Sequence, residues 1–311
     1  MKRTGKLLLR TIGVLFILVN VIVIFHAYKF THFYNRNEMQ VKQEKDKTGW
    51  DKTKEILFGA NFTKQQNIAP DTIIQTIYLV TPGNLKLQAW YLSAASAKGT
   101  VALFHGHGGK KSSMLPEAAI FRRLGYNTLL LDFRAHGNSE GNTTTIGFKE
   151  AEDVKLVYDY LKQKGEKNII LYGISMGAAT IIKSVDEYHL EPAKIILEMP
   201  FGSLSQAVKG RVKMMKLPPE PLSTLLTFWG GTMQGFWAFS FNPSGYAKSI
   251  RCPVLLQWGK NDPRVTRQET DDIYNNISAP KKFVVYENSG HESLYKKESA
   301  KWTGEVTAFL Q

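Results

Sequence analysis

Asn168-Ile169-Ile170-Leu171-Tyr172-Gly173-Ile174-Ser175-Met176-Gly177 decides the fold of this chain. A short apolar run, Asn168–Tyr172, feeds a G-x-S-x-G pentapeptide, and the helix-like Ala178–Tyr188 follows. The order is strand, sharp turn and helix, with a serine at the turn. Glycines two residues either side of that serine remove side chains that would collide with so bent a backbone, which holds the hydroxyl above the sheet. The same bend aims the Met176 N–H at the place where an oxyanion would form beside Ser175. A bare match arises by chance in about one in ten chains of this length, so the motif needs partners.

Both partners are present in the order Ser, acid, His. Pro253–Trp258 reads as a buried strand running into Gly259-Lys260-Asn261-Asp262-Pro263-Arg264-Val265, which places Asp262 just past a strand end. Lys282–Tyr286 is the next strand, and Asn288-Ser289-Gly290-His291-Glu292 puts His291 in the last loop, before a closing helix over Leu294–Leu310. Upstream, Ile73–Val80 and Leu85–Leu92 form a hairpin across Thr81-Pro82-Gly83-Asn84. Thr100–Phe104, Asn127–Leu131 and Lys194–Leu197 are further strands, with helices over Met114–Leu124 and Gly147–Lys164. Short apolar runs alternating with helices predict an α/β fold: a mostly parallel central sheet with helices on both faces.

Four motifs resemble those of the α/β-hydrolase superfamily: His105–Gly109 (HGHGG), Asp132–Gly141 (DFRAHGNSEG), Gly173–Gly177 (GISMG), and the loops around Asp262 and His291. The resemblance covers roughly Asp71 to Gln311 by the order of elements. Within the superfamily the pattern is similar to the serine-aminopeptidase-like and Bem46-like branch, which includes membrane-anchored esterases, thioesterases and acyl-peptide hydrolases. It implies Ser175 as nucleophile, His291 as base and Asp262 as acid, with backbone N–H groups of Met176 and His107 as the oxyanion hole. Glu198, at the end of a strand, is a rival for the acid, since some hydrolases use that position. The side chains of His105, His107 and His136 read as loop organisers. His-x-His could ligate zinc, but no further ligand lies nearby in sequence, so neither a metal nor an organic cofactor is expected.

The net charge of +13 could suggest nucleic acid, so its distribution matters. Residues 1–50 hold nine Lys/Arg against Glu38, Glu44 and Asp46, nearly half the excess, and these charges flank a hydrophobic segment. Anionic lipid headgroups are the simpler partner, and no nucleic-acid recognition motif accompanies the charge. Thr11–Ala27 is long enough to span a bilayer core if Arg10 snorkels, and no small-x-small cleavage site follows it. The expectation is a basic tail over 1–10, a signal-anchor over 11–27, a polar tether over 28–70 with a short helix at Met39–Thr48, and a hydrolase domain over 71–311. The charged tail would stay in the cytosol, which makes this a single-pass membrane protein with its catalytic domain on the extracytoplasmic side. Cys252 is the single cysteine, so no intramolecular disulfide forms, and its apolar strand suits an inert thiol.

Phe201–Ile250 is an insertion where a plain hydrolase needs one helix. Its Met, Phe and Trp residues, Trp229 and Trp237 among them, suit a cap over Ser175 that receives an apolar acyl group. The sequence therefore predicts a membrane-anchored serine hydrolase of a small or acylated ester, thioester or amide. An aminopeptidase or acyl-peptide hydrolase, and a catalytically silent anchored binding module, are the alternatives.

Overall fold

Eight strand segments bounded by turn residues assemble into one sheet, and helices cover both faces of its parallel part. The computed structural model describes residues 3–39, 41–42, 44–72 and 74–311. Lys2 of the basic tail, Gln40 and Gln43 within the expected 39–48 helix, and Ile73 at the first strand's start lie outside the described residues. In chain order the N-terminal elements are α1 (Arg3–Thr31), β1 (Phe33–Tyr34), α2 (Gly49–Phe58) and β2 (Phe62–Thr63). Next come β3 (Gln75–Val80), β4 (Lys86–Leu92), β5 (Thr100–Phe104), α3 (Leu115–Arg123), β6 (Asn127–Leu131) and α4 (Ala151–Gln163). The elbow joins β7 (Ile169–Ile174) to α5 (Met176–Tyr188), followed by β8 (Lys194–Glu198), α6 (Leu204–Met214), α7 (Leu222–Gln234) and α8 (Pro243–Tyr246). The chain closes with β9 (Val254–Gly259), α9 (Arg267–Asn276), β10 (Lys281–Tyr286), α10 (Leu294–Lys297) and α11 (Ser299–Leu310).

The strand order is β3-β4-β6-β5-β7-β8-β9-β10. Both pairings of β4 are antiparallel, and the rest of the sheet is parallel. Strand β5 is buried along its whole length, as a central strand covered on both faces must be. Alternate residues divide between two cores. Ala102, Phe104, Leu129 and Leu131 meet Val154, Val157 and Ile181 of α4 and α5, while Val101, Leu103 and Leu130 meet Phe121 and Trp302 of α3 and α11. After β5 the chain moves outward to β6 and then returns to β7 on the other side. A crevice opens at such a reversal, beyond the carboxyl ends of β5 and β7, where His105–Gly109 and Ser175 lie.

Residues 28–70 are not a free tether. Helix α1 continues to Thr31, and Val23, Ala27 and Phe33 are buried against the domain. Strand β1 pairs in parallel with β2, the Phe33 N–H donates to Asn142 O (2.8 Å), and the Asn67 amide donates to Asp132 Oδ2 (2.6 Å). The short helix lies at Gly49–Phe58 instead of 39–48, because the capping box between Thr48 and Asp51 starts it there. A protein beginning at Asp51 would lack Phe30 and Phe33 and expose what they cover. Its melting temperature is expected to fall by about 10 °C or more against the full chain in the same detergent, as loss of large buried side chains costs several kcal/mol. An unchanged melting temperature with full activity would show that this segment only tethers.

The insertion at Phe201–Ile250 has two faces, and only one of them looks onto Ser175. Leu204, Ala207, Val208 and Arg211 recur at helical spacing along α6 and line the cavity at Ser175. Helix α7 faces α1 instead: the Trp229 indole N–H donates to Asn20 Oδ1 (2.8 Å), and the Gln234 amide donates to Thr31 Oγ1 (3.2 Å). Phe228 and Trp229 line an open apolar groove of about 610 Å³ with Phe16, Ile17 and Val21. Trp237 is 61% exposed. Phe228, Trp229 and Phe239 therefore flank the apolar N-terminal helix instead of roofing Ser175, because a second apolar surface runs alongside them there, while Phe236 and Phe241 pack on Phe148 of the hydrolase domain. Gly5–Thr31 is one helix long and apolar enough to cross a membrane by length and composition.

Candidate active site

Ser175 sits between β7 and α5 at φ 53°, ψ −115°, a left-handed conformation that a non-glycine residue holds only when its surroundings enforce it. The flanking glycines are required by contact. A Cβ at Gly173 would lie 2.6 Å from the Gly177 carbonyl carbon, and one at Gly177 would lie 2.2 Å from Phe104 O. The Ser175 N–H donates to Glu198 O (2.8 Å), which ties the turn to the neighbouring strand.

His291 Nε2 lies 2.8 Å from Ser175 Oγ, and its Nδ1 lies 2.7 Å from Asp262 Oδ2. A carboxylate only accepts, so Nδ1 carries the proton and Nε2 is left to accept from the serine hydroxyl. The other Asp262 oxygen accepts from the N–H groups of Arg264 (2.7 Å) and Val265 (3.0 Å), fixing the carboxylate's rotation. The loops carrying the acid and the histidine touch along their backbones: a Cβ at Gly259 would meet Gly290 O at 2.4 Å, and the Asn261 N–H donates to Ser289 O. Glu198 is elsewhere. It is fully buried and accepts from the Tyr172 hydroxyl (2.7 Å) and the Trp302 indole, and burial pushes its pKa up to about 8. Geometry thus puts Asp262 beside His291 and gives Glu198 a different partner set.

The HGHGG loop lies against Ser175, and a Cβ at Gly106 would sit 3.5 Å from the serine's own Cβ. His107 and Met176 both line the cavity at Ser175. Met176 is the first residue of α5, so its N–H has no carbonyl within the helix to bond. The three imidazoles here are spent on loop structure. His105 donates from Nδ1 to Gly106 O (2.8 Å) and accepts at Nε2 from Phe133 N (3.2 Å). His136 donates to Arg134 O (2.8 Å) and accepts from Gly108 N (3.0 Å). The His107 ring stacks on Phe30 at 4.5 Å and donates to that residue's carbonyl oxygen (3.3 Å).

Burial, with the neighbouring His136 next, holds both His105 and His107 down to about 3. A pKa depressed on folding gives stability that is present above the unfolded value and lost as pH falls towards the folded one. The window is thus about pH 6.5 down to about 3. Glu198 shifts the opposite way, so the comparison with a variant isolates the histidines. His107→Gln is expected to flatten the fall in melting temperature between pH 7 and pH 4.5. A slope equal to wild type would show that His107 is protonated in the fold.

The cavity at Ser175 has a volume of about 480 Å³. Its walls include Phe62, Arg211 and Arg264, which the sequence did not single out, and Phe30, which by sequence suits the membrane interface beyond the apolar run. Phe30 and Phe62 come from the presumed tether and carry no periodic signal. Gly210, one residue before Arg211, did carry one: a glycine inside a helix marks close approach, and a Cβ there would meet Arg264 O at 2.4 Å.

A doubly covered, mostly parallel eight-stranded sheet, a serine elbow after β7, and a histidine loop after β10 define the class: the chain belongs to the α/β-hydrolase superfamily. Residues 95–235 match the family described as serine aminopeptidase, S33. YqkD of Bacillus subtilis is 28% identical over 228 residues, covering 72% of this chain and 75% of that protein. Lysophosphatidylserine lipase ABHD12 of Macaca fascicularis is 26% identical over 209 residues, covering 63% of this chain. The chain spans about half of that relative's length, 49%. Among solved structures, the Pyrococcus furiosus esterase Pf2001 aligns with a TM-score of 0.65 at 25% identity, covering 79% of this chain and 97% of that one. The chain is a hydrolase of the α/β family with esterase-like and lipase-like neighbours.

Proposed function

We propose that this chain is a membrane-anchored serine hydrolase that cleaves esters of apolar acyl groups. The observation that carries this reading is the hydrogen-bonded series Asp262–His291–Ser175 opening onto a cavity walled partly by apolar side chains. Ser175 Oγ attacks the acyl carbonyl while His291 Nε2 takes its proton, and Asp262 stabilises the imidazolium. The N–H groups of Met176 and His107 receive the oxyanion, each contributing about 3–4 kcal/mol. His291 then protonates the departing alkoxide, and a water activated by the same nitrogen releases the acyl group and restores Ser175.

The family match raises aminopeptidase activity as a second reading. Arg211, Arg264 and Lys296 line the cavity, and their charge would repel the α-ammonium of a peptide substrate. Turnover of p-nitrophenyl esters of graded chain length, beside aminoacyl p-nitroanilides, tests the choice. Esters are expected to be cleaved and anilides not; the reverse preference would overturn the ester reading.

The anchor reading rests on α1 and its neighbour. Counting from Leu7, about 20 residues cover a 30 Å hydrocarbon core and reach His26, so Asn20 and its partner Trp229 would lie within it. Helix α7 has no charged residue between Leu222 and Gln234, as a segment sharing that depth requires. Helix α7 thus rests in the outer part of the bilayer, with the basic tail cytosolic and the hydrolase domain outside. Protease protection in sealed vesicles tests the side.

A further inference from the structure

Of the three cations that line the cavity at Ser175, Lys296 acts on Glu117, and the two arginines have no anion to meet them. Arg211 and Arg264 both face it, neither forms an ion pair among the described residues, and Arg264 Nε is buried with no acceptor. A buried guanidinium N–H without an acceptor is costly, and two such groups side by side repel each other. The fold nonetheless forces them together. Gly210 lets α6 press onto the Arg264 carbonyl, and the Arg211 guanidinium lies 5.4 Å above the centre of the Phe30 ring. Burial, and then the charge of Arg264, hold the Arg211 pKa below its ordinary value. Arg264 is fixed at its other end, where its backbone N–H donates to Asp262. The cavity's carboxylates do not neutralise the pair: Glu117 is buried, raised by that burial and bonded to the Ser293 hydroxyl, and Glu292 accepts from Gly290 N (3.4 Å).

We infer that Arg211 and Arg264 form an oxyanion-binding subsite beside Ser175, which holds a phosphate or carboxylate carried by the substrate close to its scissile ester. The inference rests on the reading of Ser175 as the nucleophile. A planar fork of N–H donors binds either group in two-point fashion. With Phe30, Phe62, Leu204 and Val208 on the same walls, the substrate is an anionic amphiphile: one apolar chain and one acidic group on the alcohol side.

Paired substrates test this. The kcat/KM ratio of 1-palmitoylglycerol 3-phosphate to 1-palmitoylglycerol reports phosphate, and that of O-palmitoylglycolate to 2-hydroxyethyl palmitate reports carboxylate. Wild type is expected to favour the anionic member of at least one pair, and whichever ratio is larger identifies the group. Arg211→Gln and Arg264→Gln are each expected to lower that ratio by about ten- to a hundredfold, the range for losing a charged hydrogen bond. Arg211→Lys keeps the charge without the fork and should fall between.

Binding separates the subsite from catalysis. Calorimetric titration of Ser175→Ala with 1-O-hexadecylglycerol 3-phosphate, an ether that cannot be cleaved, should show affinity that Arg264→Gln weakens by a similar factor. Such binding without turnover of any ester would keep the subsite and sink the hydrolase reading. Ratios and ether-phosphate affinity unchanged in both glutamine variants would overturn the subsite.

Discussion

Ser175→Ala is expected to lower kcat/KM on a p-nitrophenyl ester by about 10⁴- to 10⁶-fold, the range for removing a nucleophile that acts together with its base. His291→Ala should lose about as much, and the double variant little more, because the two residues form one unit. The strain at Ser175 belongs to the backbone, so alanine meets the same φ of 53° and the fold should survive. A melting temperature within about 2 °C of wild type would establish that, since a surface-lined change of one hydroxyl is worth little in stability. Retention of ester turnover by Ser175→Ala would remove the serine from the mechanism.

Asp262→Asn carries the next largest effect, about 10³- to 10⁴-fold. An amide at this position can donate to Nδ1 and so reverse the imidazole tautomer, leaving Nε2 protonated and unable to accept from Ser175. Glu198→Gln provides the contrast. With its pKa pushed up to about 8 by burial, Glu198 is mostly neutral at pH 7 and cannot stabilise an imidazolium, and glutamine mimics the neutral acid. Its turnover should stay within about tenfold of wild type. A silent Asp262→Asn beside a crippled Glu198→Gln would transfer the role of acid to Glu198.

The legible parts of this chain were those where local chemistry and tertiary position agree. Buried strands such as Thr100–Phe104 stand out as unbroken apolar runs, and the bounds of β5 and β6 coincide with the sequence reading. Asp262 and His291 were legible because each follows a strand end within a turn-rich loop, and the structure brings both to Ser175. Helix α4 begins at Ala151 instead of Gly147, since Glu150 is occupied with Thr144, Thr145 and Gly147 just ahead of it. Helix α9 went unread although Thr266 and Glu269 form a capping box, because it has few apolar residues to show a period. The docking of residues 28–70 was invisible for a different reason. It depends on separate aromatics: Phe30 and Phe33 meet His107 and His136, which lie far along the chain, and Phe62 packs on both phenylalanines. The facing of α7 was equally hidden, since Trp229 meets Asn20 only after the whole domain has folded.

The central claim is that Ser175 is a nucleophile activated by His291. Labelling with a fluorophosphonate and locating the adduct by peptide mass spectrometry tests it most directly, because the probe phosphonylates an activated serine and leaves ordinary hydroxyls alone. One adduct on the Gly173–Gly177 peptide, at Ser175, is expected in the wild type, with labelling lost in Ser175→Ala and slowed by orders of magnitude in His291→Ala. Labelling that persists in Ser175→Ala, or a folded wild type that takes no label, would contradict the account.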